Sequence, residues 1–180
     1  MFNLTNEDLK IAKPVSNILI IGFIGTGILW GSGQYDLVAW LQGFFPILAV
    51  IFLYYSMKII TPQERSFVAP FFLIASVQSI VDSYSAFETV RQGSELDIYV
   101  VGSHFFIGLF HVAAFWCYKS VLPSWGLYAS LLGGASQVLA AIFTMLGNND
   151  LHDIADFGFP LIIVFWIALR NAMASAEVKV

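Results

Sequence analysis

From residue 15 to residue 176 the chain is a succession of apolar stretches parted by short polar or turn-forming segments: 15–33, 37–58, 67–91, 97–119, 123–147 and 155–176. Coiled into helices, stretches of about 20 residues match the hydrocarbon thickness of a bilayer. Composition points the same way. Hydrophobic residues make up 58% of the chain and charged ones 11%, against roughly 45–50% and about 25% in soluble domains. The expectation is an all-α protein, a polytopic membrane bundle of six transmembrane helices. The expected six-helix membrane domain covers residues 15–176 and leaves almost nothing of these 180 residues over for a soluble domain.

Residues 1–14, MFNLTNEDLKIAKP, carry both charge signs and no small-residue cleavage site. They read as a cytoplasmic interfacial arm rather than a removable leader, with Pro14 opening the first helix and residues 177–180 forming a cytoplasmic tail. Lys10, Lys13, Lys58, Arg65, Lys119, Arg170 and Lys179 fall on the side of the N-terminus, and only Arg91 on the other. That asymmetry places both termini in the cytoplasm, in a plasma or bacterial inner membrane. Asp36, Glu88, Glu95, Asp97, Asp150, Asp153 and Asp156 lie on the opposite side. They form either an acidic rim that concentrates cations or simply solvated loop ends.

At an offset of 114 residues the first helix pair aligns with the last: Gly33 falls on Gly147, Asp36 on Asp150, Leu37 on Leu151, Phe45 on Phe159, Pro46 on Pro160 and Val50 on Val164. An offset of 61 brings in the middle pair through Asp36 and Asp97, Phe44 and Phe105, Phe45 and Phe106. The pattern suggests three tandem helical hairpins. Helices 1 and 5 are rich in small residues, among them Gly27 and Gly31, Ser130 and Gly134. Such pairs four apart allow close backbone approach where lipid offers no hydrophobic drive, so both helices are expected inside the bundle. Pro46 and Pro160 predict matched bends in helices 2 and 6.

Chemistry concentrates in helices 3 and 4. Gln78, Asp82, Ser85 and Thr89 share one face of helix 3, and Asp82 is an acid well inside a span. An ionisable group at that depth costs at least about 2.5–3.5 kcal/mol unless a partner or water receives it. The stretch GSHFFIGLFHVAAFW places His104, Gly108 and His111 on one face of helix 4. An antiparallel return sets Asp82 level with His104 and Gln78 level with Gly108. The expected path is lined by Gln78, Asp82, Ser85, His104, Gly108, His111 and Gln137, with Asp82 and His104 as a pH-sensitive pair. Interhelical hydrogen-bond glue is the competing role for the same groups. His152 and Asp156, one turn apart, are weak metal candidates that need His104 or another ligand to join them; helix capping is their other role.

Other chemistries are disfavoured. A retinal Schiff base needs a lysine within a helix, and Lys58 and Lys119 stand at helix ends. Haem held by two histidines needs rings that face one another, whereas His104 and His111 share a helix, so His152, Met145 or a second chain would have to take part. The lone Cys117 excludes an intrachain disulfide or a cysteine zinc cage. Nucleotide-loop and hydrolase motifs are lacking. No cofactor and no nucleic acid are expected; the partners are the lipid bilayer, a small-molecule solute and, as one open assembly, a homo-oligomer. Six short helices with cytoplasmic termini resemble, as topology, small-solute channels such as the acid-gated urea channels and the acetate/succinate permeases. The permeases carry Asn-Pro-x-Pro-hydrophobic-Gly before helix 1 where this chain reads KPVSN, and no residue role is carried over. The expected function is a proton-coupled channel or transporter for a small, protonatable solute. Alternatives are an intramembrane enzyme acting on a lipid or isoprenoid, with Asp82 and His104 as acid and base, and a structural subunit of a membrane complex.

Overall fold

The computed structural model describes residues 4–92 and 97–176, and within them it is helical without strands. Seven α-helices follow in order: α1 Asn6–Gly31, α2 Tyr35–Ser56, α3 Pro62–Gln92, α4 Asp97–Cys117, α5 Ser124–Met145, α6 Asn149–Asp156 and α7 Phe159–Ser175. A single 3-10 turn, Met57–Ile59, links α2 to α3. Among the described residues, four segments are long and apolar enough to cross a membrane: Asn6–Leu29, Pro62–Val81, Ser124–Met145 and Asp150–Ser175. Gly43–Ile59 and His104–Cys117 are shorter apolar helices. The residue 1–3 end of the expected arm and the 177–180 tail lie outside the described residues.

Helix 1 begins earlier than expected. Thr5 and Asp8 form a reciprocal cap, the Thr5 amide donating to Asp8 Oδ2 at 2.8 Å and the Asp8 amide to Thr5 Oγ1 at 3.2 Å. These bonds satisfy amides that would otherwise be orphaned at a helix start. Pro14 therefore stands inside α1 rather than opening it. The arm is held by Asp8, which receives the Lys58 ammonium at 2.8 Å, and by the Tyr54 and Tyr55 rings, which lie 5.4 and 5.2 Å from that nitrogen. Glu64 accepts from Ser120, and Arg170 donates to Asn17. The α1 start, the α2–α3 turn and the α4–α5 turn thus share one end of the bundle.

From α1 to α6 helices adjacent in sequence pack together, α5 also packs on α7, and α1 meets α7, so contacts run round the bundle as a closed cycle through α1, α2, α3, α4, α5 and α7. Its interior is aromatic. Phe23 touches Phe45, Phe159 and Trp166 at centroid distances of 4.9, 5.1 and 5.3 Å, and Phe165 reaches Tyr118 at 6.0 Å. The outside is apolar as well: Ile18, Ile21, Ile24 and Ile28 of α1 and Leu73, Val77 and Ile80 of α3 are exposed. Such a continuous apolar exterior is expected against lipid and is unusual against water.

The two turns that align at an offset of 114 residues take the same backbone conformation. Gly33 and Gly147 both take positive φ, 79° and 70°, in a left-handed conformation that favours glycine. Around them the same bonds recur: Ser32 to the Ile28 carbonyl and Gln34 to Leu29, then Leu146 to Ile142 and Asn148 to Phe143. The copies diverge just before the matched prolines. Helix α2 runs through Pro46, whereas the last stretch breaks at Phe157–Gly158, so Pro160 stands in the first turn of α7 and bends nothing. Gly158 at that break lies so close to Ser136 that a side chain there would collide with it.

The small residues behave differently in the two copies. A Cβ at Gly134 would lie 2.7 Å from the Gly108 carbonyl oxygen and 2.8 Å from the Val112 nitrogen. Here α4 and α5 touch backbone to backbone. By contrast a Cβ at Gly25, Gly27 or Gly31 meets nothing within 4 Å, which corrects the expectation that the glycine face of helix 1 is packed inside. Gly22 alone in that row closes on a neighbour, Phe45. Gly134→Val is therefore expected to destabilise the fold by about 1–3 kcal/mol through overpacking. Gly27→Ala and Gly31→Ala should leave stability unchanged or raise it by up to about 1 kcal/mol. Thermal unfolding in detergent, followed by size-exclusion fluorescence, measures the contrast.

Candidate functional site

The polar side chains gather where α4, α5 and α6 meet. Helix α5 ends in the Gly147 turn, Asn148 caps α6 by accepting from the Leu151 amide at 3.1 Å, and α6 folds back along α5. That return brings Asp156 to Gln137 and His152 to Thr144. Gln137, buried, donates from Nε2 to Asp156 Oδ1 at 2.9 Å, and His104 Nε2 of α4 stands 3.4 Å from the same oxygen. The His152 ring lies edge-on to that of His104, with centroids 5.4 Å apart. His152 Nδ1 is 2.7 Å from Thr144 Oγ1 and 3.1 Å from the Ala140 carbonyl oxygen. A carbonyl only accepts, and the Thr144 hydroxyl itself donates to Ala140, so Nδ1 carries the proton.

A carboxylate, two imidazoles and an amide thus share one cluster. The Asp156 side chain is 43% exposed and that of His104 19%. The acid therefore keeps one side uncovered by protein while His104 is more enclosed. Protonated His104 and ionised Asp156 make an ion pair; with His104 neutral, the carboxylate retains the Gln137 hydrogen bond. Three of these residues are titratable, yet no group of three or more His, Cys, Asp or Glu among the described residues has an arrangement that could hold a metal ion.

Helix 3 meets helix 4 in a different register from the expected one. The Gln78 amide closes on Gly102, where a Cβ would come within 2.9 Å of it, and Phe72 meets Phe110 at 6.3 Å. Gly108 faces α5 instead of Gln78 and is sealed by the Gly134 backbone. The side chains of Asp82 and Ser85 lie outside the described residues, and the expected Asp82–His104 pair with them. Neighbouring serines on α3 bond their own helix: Ser76, Ser79 and Ser83 donate to the carbonyls of Phe72, Ala75 and Ser79. His111 is apart from the cluster. Fully buried, it lies among Phe110, Phe165 and Trp166, with Nδ1 2.8 Å from the Ile107 carbonyl oxygen.

Helical spacing alone does not point to Thr144. The signal is the turn: once Gly147 and Asn148 end one helix and begin the next, Thr144 and His152 stand opposite each other. Compared with known proteins, the chain matches no family model, no curated protein and no solved structure.

Removing the Gln137 donor tests whether the cluster is coupled. Gln137→Leu and Asp156→Ala are each expected to lower stability, and the double variant to lose about 1 kcal/mol less than the sum, since each partner's contribution depends on the other. Strict additivity in detergent unfolding would show that the two do not interact.

Proposed function

We propose that the chain is a multi-pass membrane protein of six spans, with both termini cytoplasmic, that conducts or transports a small, protonatable solute. The six apolar stretches are arranged in this reading as three hairpins. Support for the sidedness comes from the cations Lys58, Arg65 and Arg170, which are bound at the end of the bundle that holds the α1 start. The solute path runs past Gln78, Asp82 and Ser85 of α3, His104 of α4 and Gln137 of α5, with Asp156 of α6 at its outer part and His111 further in.

The observation that carries the transport reading is the approach of His104 Nε2 to Asp156 Oδ1, 3.4 Å, beside a buried amide on the same oxygen and a second imidazole. Pure hydrogen-bond glue does not call for an acid and two imidazole rings in one cluster. Where His104 carries a proton it is drawn to the carboxylate; where it is neutral the pair loosens and the acid is available to a cationic or hydrogen-bonding solute. The cluster thereby acts as a charge-dependent gate at the mouth.

Flux of small acids, amides and monovalent ions into proteoliposomes, compared at about pH 5 and about pH 7.5, tests this reading. Protein-dependent flux is expected to differ several-fold between the two conditions. Asp156→Asn and His104→Gln should each flatten that difference while the protein still inserts. Flux equal to that of empty liposomes at both pH values for every solute would overturn it.

A further inference from the structure

Among the described residues, two buried side-chain polar atoms have no hydrogen-bond partner: His111 Nε2 and Trp166 Nε1. Both residues are deeply buried, at 0% and 3% exposure, and their ring centroids are 6.3 Å apart. Their chemistry is complementary. His111 Nδ1 stands 2.8 Å from the Ile107 carbonyl oxygen, which only accepts, so the neutral ring carries its proton on Nδ1 and presents a bare lone pair at Nε2. Indole Nε1–H only donates. One atom seeks a donor, the other an acceptor, and they lie on helices that reach each other across the interior, α4 and α7.

We infer that His111 and Trp166 together form a binding site for one buried water molecule, which donates a hydrogen bond to His111 Nε2 and accepts one from Trp166 Nε1. Water is the smallest species that does both at once, and buried waters typically satisfy pairs of otherwise orphaned polar groups. Phe110 and Phe165 lie 5.2 and 5.4 Å from the imidazole, and Phe23 and Phe159 lie 5.3 and 6.4 Å from the indole, so the rings packed against the two residues are apolar and offer neither nitrogen a partner. The water is a polar tie between helices that are otherwise joined there by aromatic packing. Neither the site nor its test rests on the transport reading.

Proton NMR of nitrogen-15-labelled protein in nanodiscs tests the inference. The chain has five tryptophans, so Trp166→Phe identifies the Trp166 indole signal by its loss, and the other four report the state of the fold. The Trp166 indole proton is expected to resonate downfield, as a hydrogen-bonded N–H does, and to show direct cross-relaxation to water. His111→Phe should abolish that cross-peak and move the indole signal upfield with the other four unchanged. His111→Gln, which keeps an acceptor, should retain it. A Trp166 indole proton without a water cross-peak in the unaltered protein overturns the inference, as does a direct nitrogen-to-nitrogen coupling between the two rings. A cross-peak that persists in His111→Phe also overturns it, because the water would then belong to Trp166 alone. Should His111→Phe not fold, the unaltered protein and His111→Gln decide the matter.

Discussion

Helices α4 and α5 approach until their backbones touch, because neither Gly108 nor Gly134 carries a side chain. In lipid, where apolar side chains gain nothing by leaving solvent, such a contact is held by van der Waals packing over a short distance. The rest follows from it. Ser130 of α5 comes close enough to donate to the His111 carbonyl at 2.7 Å, and Gln137, two turns further along α5, is carried to the depth of His104. With larger residues at this crossing the two helices would separate by ångströms, and no side chain of α6 would reach across to α4.

The bundle therefore divides into two chemical zones on one pair of helices. Toward the α5–α6 turn, polar groups of α4 and α5 converge on one carboxylate oxygen of α6. Deeper, the space is filled by rings: Phe23, Phe45, Phe165, Trp166 and the His111 imidazole enclosed among them. The inner zone gives rigidity, since aromatic rings lock one another in position at contact distances of about 4.5–7 Å. In the outer zone Asp156 is left partly uncovered by protein and holds the Gln137 hydrogen bond.

Much of the helical layout is legible in residue order. Apolar run length separates the helices, and the left-handed glycines Gly33 and Gly147 mark equivalent turns. Helix ends shift where local chemistry outweighs hydropathy: the Thr5–Asp8 cap starts α1 at Asn6, well before the apolar run. The site is less legible. His104, Gln137, His152 and Asp156 all stand out as polar residues in or beside apolar stretches, but which of them meet depends on register. Counting back from a turn sets Gln78 against Gly108; the actual packing sets it against Gly102, since Gly108 is taken by the α5 contact. Helical spacing says which residues share a face and nothing about which neighbour that face meets. The open pair Gly27 and Gly31 has the same spacing as the packed pair Ser130 and Gly134 on α5, and only the packing distinguishes them.

The break at Phe157–Gly158 isolates α6 as an eight-residue helix. A helix so short does not persist by its own backbone bonding. What keeps it ordered is its seam with α5, the Gln137–Asp156 and Thr144–His152 bonds along one edge and the Asn148 cap at its start. The hold on this segment is thus concentrated in a few side-chain bonds along one edge, so that losing any one of them loosens a whole helix at once.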